Sequence, residues 1–272
     1  MSLLPEIIVS KIISKSLDAL GAFAQRGTNS YFARRPFRKV MGFGKDDKIY
    51  IVVPERPVDE AYAHQSASLM ANVHVTFHDM LAANYAERAL TLAGVGDERI
   101  FIETISSTHR PDAIVTNHLV LICSPKANAY SRAAIESLSQ TYGVDLKFEL
   151  FSTNPDRWQI VFKGAPYPSP TYAEVIELKA KGRSEAEGPL TDFAVLGRIR
   201  SPWNPNSRVL LISGLRGIGT WGAARYLRDN TPWLAKQFDG NDFLALIKVS
   251  YRELKITDVQ VVNHMKLHRA AA

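Results

Sequence analysis

The residues with the clearest chemical potential form a glycine-rich turn between an apolar strand and an apolar-faced helix, "ISGLRGIGTWGAA" (residues 212–224). The first N–H groups of a helix have no intrahelical partner and carry positive partial charge, so a strand–turn–helix unit favours a phosphate oxygen. Glycines let a ligand approach the backbone, and a threonine hydroxyl can cap the helix. We therefore predict a phosphate-binding loop formed by Ser213, Gly214, Arg216, Gly217, Gly219 and Thr220.

The same order of residues occurs earlier, in "LVLICSPKANAYSRAAIESL" (residues 119–138). Ser213 aligns with Ser124 and Thr220 with Ser131, and each turn offers a cation. Two such turns at the ends of neighbouring parallel strands would face one crevice. The alternative is that both turns only connect a strand to a helix. The candidate ligand-binding residues of this copy are Ser124, Lys126, Asn128 and Ser131.

Two further groups of residues suggest ligand contacts. The segment "SPWNPN" places Trp203 beside Asn204 and shortly after Arg200, a combination that can stack on a base and hydrogen-bond to it. The alternative is a hairpin loop fixed by its prolines, with asparagine as the turn former. Arg200 and Asn204 join the candidate ligand-binding residues.

Catalytic candidates are limited to three acids near predicted strand ends. Glu55, Glu103 and Asp192 hold these positions. A carboxylate at the crevice can bind a ribose or act as a base toward a glycosidic bond. Solvated loop acids are the alternative interpretation for each of them.

Histidine pairs do not predict a metal site. His74 and His78 lie four residues apart within a predicted helix, the spacing of two zinc ligands, and His264 and His268 repeat it. Neither pair belongs to an H-E-x-x-H motif, and no third ligand is evident. We therefore predict no bound metal and no cofactor.

The elements that position these residues follow a strand–helix alternation in the first half. Apolar strands are predicted at 48–54, 100–105 and 118–124. A helical stretch with apolar residues from Leu69 through Val73 to Tyr85 joins the first two. Near-continuous apolar strands alternating with helices are typical of a parallel sheet covered on both faces.

The second half changes pattern. Short strand pairs flank "STNPDR" and "RSPWNPNS", as in hairpins, and two closing strands are predicted near the C-terminus. The helix after Thr220 extends to about Phe238, with a break or a new start at Pro232. The predicted fold is α/β: a Rossmann-like mostly parallel sheet with helices on both faces and antiparallel hairpin additions in the second half.

An N-terminal amphipathic helical arm, residues 1–45, precedes a single predicted α/β domain, residues 46–272. Apolar residues between Leu3 and Leu20 recur at helical spacing, and charges interrupt them, so no transmembrane segment is predicted. The apolar stripe must be covered, and we expect a second subunit or the domain itself to cover it, which predicts a homo-oligomer. Lying on an anionic membrane is the alternative.

Composition bounds the remaining possibilities. The 272 residues are 46% hydrophobic, enough for a packed core. A formal charge of +6 favours encounters with anionic partners. Of the two interpretations of this charge, a solvated basic surface is preferred to a nucleic-acid site. Cys123 is the single cysteine of the chain and stands in an apolar strand, which indicates a core residue and a reducing, cytoplasmic location.

The glycine turn also resembles a known family. "ISGLRGIGTWGAA" is similar to the "SGLARGID…AA" run of the DNA-processing protein A family, and "GIGT" resembles the "GG-x-GT" run of the Lonely Guy nucleosidases. Both belong to the SLOG superfamily of Rossmann-like nucleotide-binding domains. The resemblance covers residues 212–224 and implies nucleotide recognition at this turn.

Three functions follow from these observations. The first is a sensing or effector module that binds a nucleotide or nucleotide-derived small molecule. The second is a nucleosidase or N-glycosidase-type hydrolase acting on a nucleotide substrate. The third is a basic DNA-binding protein.

Overall fold

A computed structural model of the chain describes residues 31–57, 73–105, 112–153, 156–168, 177–183, 189–252 and 255–268. Within it, Arg35–Ala272 cluster as one compact unit. The predicted stripe between Leu3 and Leu20 lies outside the described residues. Val40, Met41 and Phe43, which the sequence assigned to the arm, are buried in the core of the compact unit.

The described elements alternate between strands and helices before ending in long strands. In chain order they are α1 (Tyr31–Met41), β1 (Ile49–Pro54), β2 (Arg56–Pro57), β3 (Val73–His74), α2 (Phe77–Ala93), a 3-10 turn (Asp97–Arg99), β4 (Ile100–Ile105), α3 (Asp112–Val115), β5 (His118–Ile122), α4 (Ala129–Tyr142), β6 (Leu146–Thr153), β7 (Asp156–Phe162), β8 (Ala165–Pro168), β9 (Leu190–Arg200), β10 (Arg208–Gly214), α5 (Gly217–Asp229), α6 (Thr231–Phe238), β11 (Phe243–Arg252) and β12 (Lys255–Lys266).

The main sheet has seven strands in the order β12-β11-β9-β10-β5-β1-β4. The four strands β10, β5, β1 and β4 are parallel, whereas β9, β11 and β12 pair in antiparallel fashion. The fold is therefore mixed α/β. Residues of β5 and β10 are almost all buried, because a parallel strand covered on both faces must be apolar throughout.

Helices pack on both faces of the parallel strands. Alternate residues of β1, β5 and β10 contact α2 and α5 on one face and α4 on the other. Consequently the two similar turns lead to opposite faces: Ala223 and Leu227 of α5 belong to one core cluster, and Ala134 and Leu138 of α4 to the other.

Two small sheets lie beside the main one. The predicted hairpin around "STNPDR" is present as β6–β7, and β8 extends it to a separate three-stranded antiparallel sheet. Its residues Leu146, Ile160 and Phe162 complete the core on the α4 face. Strands β2 and β3 form a two-residue pair.

The start of α2 differs from the prediction. Val73 and His74 belong to β3, not to the helix, and α2 begins at Phe77 because the Thr76 hydroxyl accepts a hydrogen bond from the backbone N–H of Asp79 (3.2 Å). Leu69 lies outside the described residues. The break predicted at Pro232 is confirmed: α5 ends at Asp229 and α6 begins at Thr231.

Helix α5 lies unusually close to the sheet at Gly222. A Cβ atom at this position would overlap the methyl groups of Val249 on β11. We therefore expect Gly222→Ala to lower the free energy of unfolding by about 1–3 kcal/mol, because it overpacks this contact. Urea denaturation of the variant tests this expectation.

A second variant, Val249→Ala, tests whether the loss in Gly222→Ala comes from contact with Val249. Combining it with Gly222→Ala removes the overlapping methyl groups, so the double variant is expected to lose less stability than the two single losses added together. Strictly additive losses would show that the cost of Gly222→Ala does not arise from its contact with Val249.

A buried ion pair joins elements at the edge of the sheet where the parallel strands begin. Arg198 of β9 is 2% exposed, and its Nε donates to Asp242 Oδ1 (3.3 Å). Its guanidinium also donates to the carbonyl oxygens of Lys39 (2.6 Å), Val40 (3.0 Å) and Gly240. One side chain thus connects the end of α1, strand β9 and the turn before β11.

Tyr142 extends this network as a neutral phenol. Its hydroxyl donates to Asp242 Oδ2 (2.9 Å) and accepts from the backbone N–H of Arg200 (2.9 Å). Burial is the main cause that raises the pKa of Tyr142 to about 12. The phenol therefore keeps its proton and its hydrogen bond to Asp242 over the physiological pH range.

Strand β12 forms one end of the main sheet and is irregular. Its pairing with β11 shifts register twice, between Leu246 and Ile247 and between Ser250 and Tyr251. Lys163, in the turn between β7 and β8, donates to the carbonyl oxygen of His264 (2.9 Å) and to the side chain of Asn263 (3.2 Å).

Across the described residues, no helix is both long and apolar enough to cross a membrane.

Candidate functional site

The candidate site lies where the parallel strands end. Strands β1, β4, β5 and β10 finish at the same edge, and α2, α4 and α5 begin there. The helix after β5 packs on one face, whereas the helices after β1 and β10 pack on the other. Chains that leave neighbouring strands in opposite directions open a crevice between the strand ends, where ligands of α/β proteins commonly bind.

The glycine turn at this edge is occupied by a carboxylate of the chain itself. Asp192 is fully buried, and its Oδ2 accepts hydrogen bonds from the backbone N–H groups of Gly219 (2.8 Å) and Arg216 (3.1 Å). Its Oδ1 accepts from the backbone N–H of Phe193 (2.9 Å). The candidate acid Asp192 therefore holds the start of α5, in the place where the sequence predicted a phosphate oxygen.

The cap of α5 differs from the prediction. The N-cap residue is Arg216, whose side chain makes no capping hydrogen bond. Thr220 lies inside the first turn, and its hydroxyl accepts from the backbone N–H of Gly214 (3.1 Å). Asp192 replaces the expected threonine cap because β9 places its carboxylate directly against the first N–H groups of the helix.

The need for glycine at position 214 is steric. Gly214 does not adopt a left-handed conformation, yet a Cβ atom there would collide with the backbone of Arg216, Gly219 and Thr220. The turn folds back on the strand end, and this contact leaves no space for a side chain.

The β5–α4 turn is closed by Asn128, the N-cap residue of α4. Its Oδ1 accepts from the N–H groups of Tyr130 (3.0 Å) and Ser131 (3.1 Å). Its Nδ2 donates to the carbonyl oxygens of Ile122 (2.9 Å) and Val52 (3.4 Å). Asn128 therefore bridges the ends of β5 and β1 at the floor of the crevice.

Three other residues of the two turns are buried. Ser124 and Ser131 are both buried, and the hydroxyl of Ser131 has no hydrogen-bond partner in the part of the chain that the structure describes. Ser213 donates through its hydroxyl to the carbonyl oxygen of Cys123 (2.9 Å). Because these three serine side chains are buried, they stabilise the turns. The exposed residues of the same turns remain to contact a ligand.

Cys123 adopts a strained backbone conformation at this edge. Its φ of 81° lies in the left-handed region, which is uncommon for a residue other than glycine. Its N–H donates to Ile212 O (3.0 Å), and its own carbonyl accepts from Ser213, so β10 holds it at both ends. The cysteine is buried, as the sequence predicted.

The accessible groups of the edge include two basic side chains. Arg216 and Lys126 are exposed. The Lys126 ammonium lies 4.7 Å from the ring centroid of Trp158 on β7, within cation–π range. The small antiparallel sheet thereby contributes an aromatic residue beside the β5–α4 turn.

Arg200 and Asn204 lie at the opposite edge of the sheet. Arg200 pairs with Arg208 at the start of β10, whereas Gly214 at its end pairs with Ala194. Asn204 donates to the carbonyl oxygen of Thr116 (2.6 Å), just before β5. Because β9 and β10 form an antiparallel hairpin, its loop lies a strand length, about 20 Å, from the glycine turn.

The three candidate acids are not gathered at one point. Glu55 follows β1 and accepts from the Thr104 hydroxyl (2.6 Å). Glu103 is exposed on β4 at the end of the sheet, opposite Val52 of β1. Four strand spacings, about 19 Å, separate β4 from the strand of Asp192, which is too far for two carboxylates to act on one glycosidic bond.

An aromatic cluster beside the glycine turn was missed by the sequence analysis. It comprises Phe77 and His78 in the first turn of α2 and Trp221 in α5. The His78 ring centroid lies 5.9 Å from that of Phe77 and 5.9 Å from that of Trp221. The chain separates Trp221 from His78 by more than a hundred residues, so only the packing of α2 on α5 brings them together.

His78 covers the glycine turn directly. A Cβ atom at Gly217 would approach the His78 side chain closer than ordinary contact allows, so the glycine makes room for the imidazole. Burial lowers the pKa of His78 below its ordinary value of 6.5, against the opposing effect of Asp79. The imidazole is therefore neutral at physiological pH.

This lowered pKa predicts a pH dependence of stability. In the unfolded chain His78 takes up its proton once the pH falls below about 6.5, whereas the folded chain resists protonation until a lower pH. The stabilisation is therefore present above pH 6.5 and lost as the pH falls below it. We expect His78→Gln to show a smaller loss of urea midpoint between pH 7.5 and pH 5.5 than the wild type.

His118 provides the comparison for this measurement. Burial also lowers its pKa, and it lies at the opposite edge of the sheet, where its Nδ1 accepts from the backbone N–H of Arg208 (2.9 Å). Replacing both histidines should reduce the pH dependence further than either single change. An unchanged slope in His78→Gln would contradict the neutral state of this half-buried imidazole.

Histidine spacing does not produce a metal site in the described part of the chain. His74 is in β3 and His78 in α2, so the pair does not share a helix face, and His264 lies in the strand β12. No group of three His, Cys, Asp or Glu side chains among the described residues is arranged to hold a metal ion.

Comparison with known proteins adds no family to this description. No protein-family model matches the chain, and no curated protein matches it. The geometry of the strand ends is therefore the basis for a functional proposal.

Proposed function

We propose that the chain binds a nucleotide or nucleotide-derived small molecule at the carboxyl edge of its parallel strands, as a Rossmann-like sensing or effector module. The observation that carries the proposal is the divergence at β5: its helix α4 packs on one face, and the helices after β1 and β10 pack on the other. A crevice of this kind is the usual ligand site of open α/β sheets.

Local strain at the same point supports the proposal. Cys123 has a left-handed backbone conformation at the end of β5, held from β10. Such conformations cost about 1–3 kcal/mol and concentrate at ligand sites. The SLOG resemblance of residues 212–224 agrees in placing nucleotide recognition at this edge.

Side chains, more than turn backbone, are proposed to contact the ligand. The N–H groups of Arg216 and Gly219 already donate to Asp192, so a phosphate has to be met by a side chain such as Lys126. Glu55, at the end of β1, is placed to accept from ribose hydroxyl groups. A cytoplasmic location and assembly into a homo-oligomer through residues 1–45 complete the proposal.

The proposal predicts a nucleotide that stabilises the protein. In thermal unfolding with a panel of nucleotides, at least one is expected to raise the melting temperature, because a ligand at one hundred times its Kd adds about 2.7 kcal/mol. Calorimetry with that nucleotide should show about 3- to 10-fold weaker binding to Lys126→Ala, the loss of one exposed charge-assisted hydrogen bond.

A matched lysine controls for nonspecific charge. Lys236 is exposed on α6, which follows the far end of α5, so Lys236→Ala should leave the affinity unchanged. Equal weakening by both variants would indicate a general charge effect and contradict a site at the β5–α4 turn. Release of free base during the same incubations would instead identify a hydrolase.

A further inference from the structure

The helix starts at the carboxyl edge already donate to acceptors of the chain itself. Thr76 accepts from the N–H of Asp79 in α2, and Asn128 accepts from two N–H groups of α4. Asp192 accepts from the N–H groups of Arg216 and Gly219 at α5. Each helix start thus has an acceptor from the chain itself.

Two of these helix starts also carry a buried acid. Asp79 lies in the first turn of α2 and Asp192 against the first turn of α5, and both are fully buried. Carboxylates at helix N-termini offset the positive partial charge that attracts phosphate. The two buried acids therefore weaken the attraction of the α2 and α5 helix starts for a further anion.

The same region offers aromatic surface instead. Phe77 is 56% exposed, an unusual position for a phenylalanine, and it contacts His78, which contacts Trp221. The indole N–H of Trp221 is buried and has no hydrogen-bond partner among the described residues. Gly217 leaves the space that brings the imidazole onto the turn.

Resting on the proposed function, we propose that the cluster of Phe77, His78 and Trp221 is a stacking site for an uncharged nucleobase. The nucleoside part of the ligand then supplies most of the affinity at this edge, and phosphate groups add little. Stacking suits this surface because aromatic faces bind any base through its ring, without a charged partner.

The test is calorimetry with adenosine, guanosine, cytidine, uridine and their 5′-monophosphates. We expect at least one nucleoside to bind the wild-type protein within about tenfold of its monophosphate. Phe77→Ala should weaken that nucleoside about 5- to 100-fold, the range measured for removing one base-stacking ring. Leu92→Ala is the matched control, because Leu92 is 47% exposed at the far end of the same helix.

The outcomes separate this inference from the proposed function. A monophosphate that binds while its nucleoside does not would overturn the inference and leave nucleotide binding intact. A nucleoside that binds Phe77→Ala as tightly as wild type would overturn the stacking site. No binding of nucleosides or monophosphates, together with no stabilisation by any nucleotide of the thermal panel, would overturn both. Equal weakening by Phe77→Ala and Leu92→Ala would attribute the effect to the helix and also overturn the stacking site.

Discussion

Replacing Asp192 with alanine is expected to lower the free energy of unfolding by about 3–5 kcal/mol. The carboxylate is fully buried and accepts from three backbone N–H groups, those of Phe193, Arg216 and Gly219. Each buried donor left without an acceptor costs about 1–3 kcal/mol. Equilibrium unfolding in urea measures the loss, and a change below about 1 kcal/mol would contradict the role of Asp192 as the cap of α5.

Added anions provide a second measurement on the same variant. Removing the carboxylate leaves two N–H groups at a helix start, which is an anion-binding arrangement. Phosphate should therefore raise the melting temperature of Asp192→Ala more than that of the wild type, in which the carboxylate occupies the position. An equal rise in melting temperature for both proteins would reflect only the general stabilisation by phosphate, which is excluded from protein surfaces.

Replacing Arg198 with methionine is expected to cost a similar amount, about 3–5 kcal/mol. Methionine keeps the apolar stem but leaves Asp242 without its buried partner. The carbonyl oxygens of Lys39 and Val40 at the end of α1 lose their donor as well. The measurement is again the free energy of unfolding in urea.

A surface ion pair and a double variant control this prediction. Arg225 Nε lies 3.5 Å from Asp229 Oδ2, and the Arg225 side chain is 42% exposed, so Arg225→Met should cost less than about 1 kcal/mol. In Arg198→Met the Asp242 carboxylate keeps the Tyr142 hydroxyl and the more distant Arg208 (3.8 Å) but has lost its buried cation. Adding Asp242→Asn therefore removes this poorly compensated charge and should recover part of the loss. If Arg198→Met is no worse than Arg225→Met, the buried pair does not stabilise the fold.

The strands of the main sheet were predictable because their signals are local. Continuous apolar runs at 118–124 and 208–214 fit strands buried on both faces, and they appear as β5 and β10. The hairpin of β9 and β10 followed from the Pro- and Asn-rich loop between them. Helix starts were less predictable. The apolar residues recur at helical spacing from before Val73, yet α2 begins only at Phe77, where the Thr76 side chain caps its first turn.

The candidate site was predictable only in part, because its partners are distant in sequence. The glycine turn lies at the carboxyl edge of the parallel strands, as its strand–turn–helix pattern predicted, but its acceptor is Asp192, on a strand that precedes it by more than twenty residues. Nothing in the sequence near Arg216 indicates a carboxylate there. Arg200 and Asn204 were grouped with the turn by closeness in sequence, yet a hairpin places its loop and its far end at opposite edges.

The irregularity of the edge strand β12 bears on the tendency of this sheet to aggregate. Long, regular edge strands are templates to which another chain can add, and such addition can propagate into fibrils. The two register shifts in β12 interrupt the regular spacing of its backbone groups, and the Lys163 ammonium engages the carbonyl of His264. These features disfavour the addition of another strand at β12.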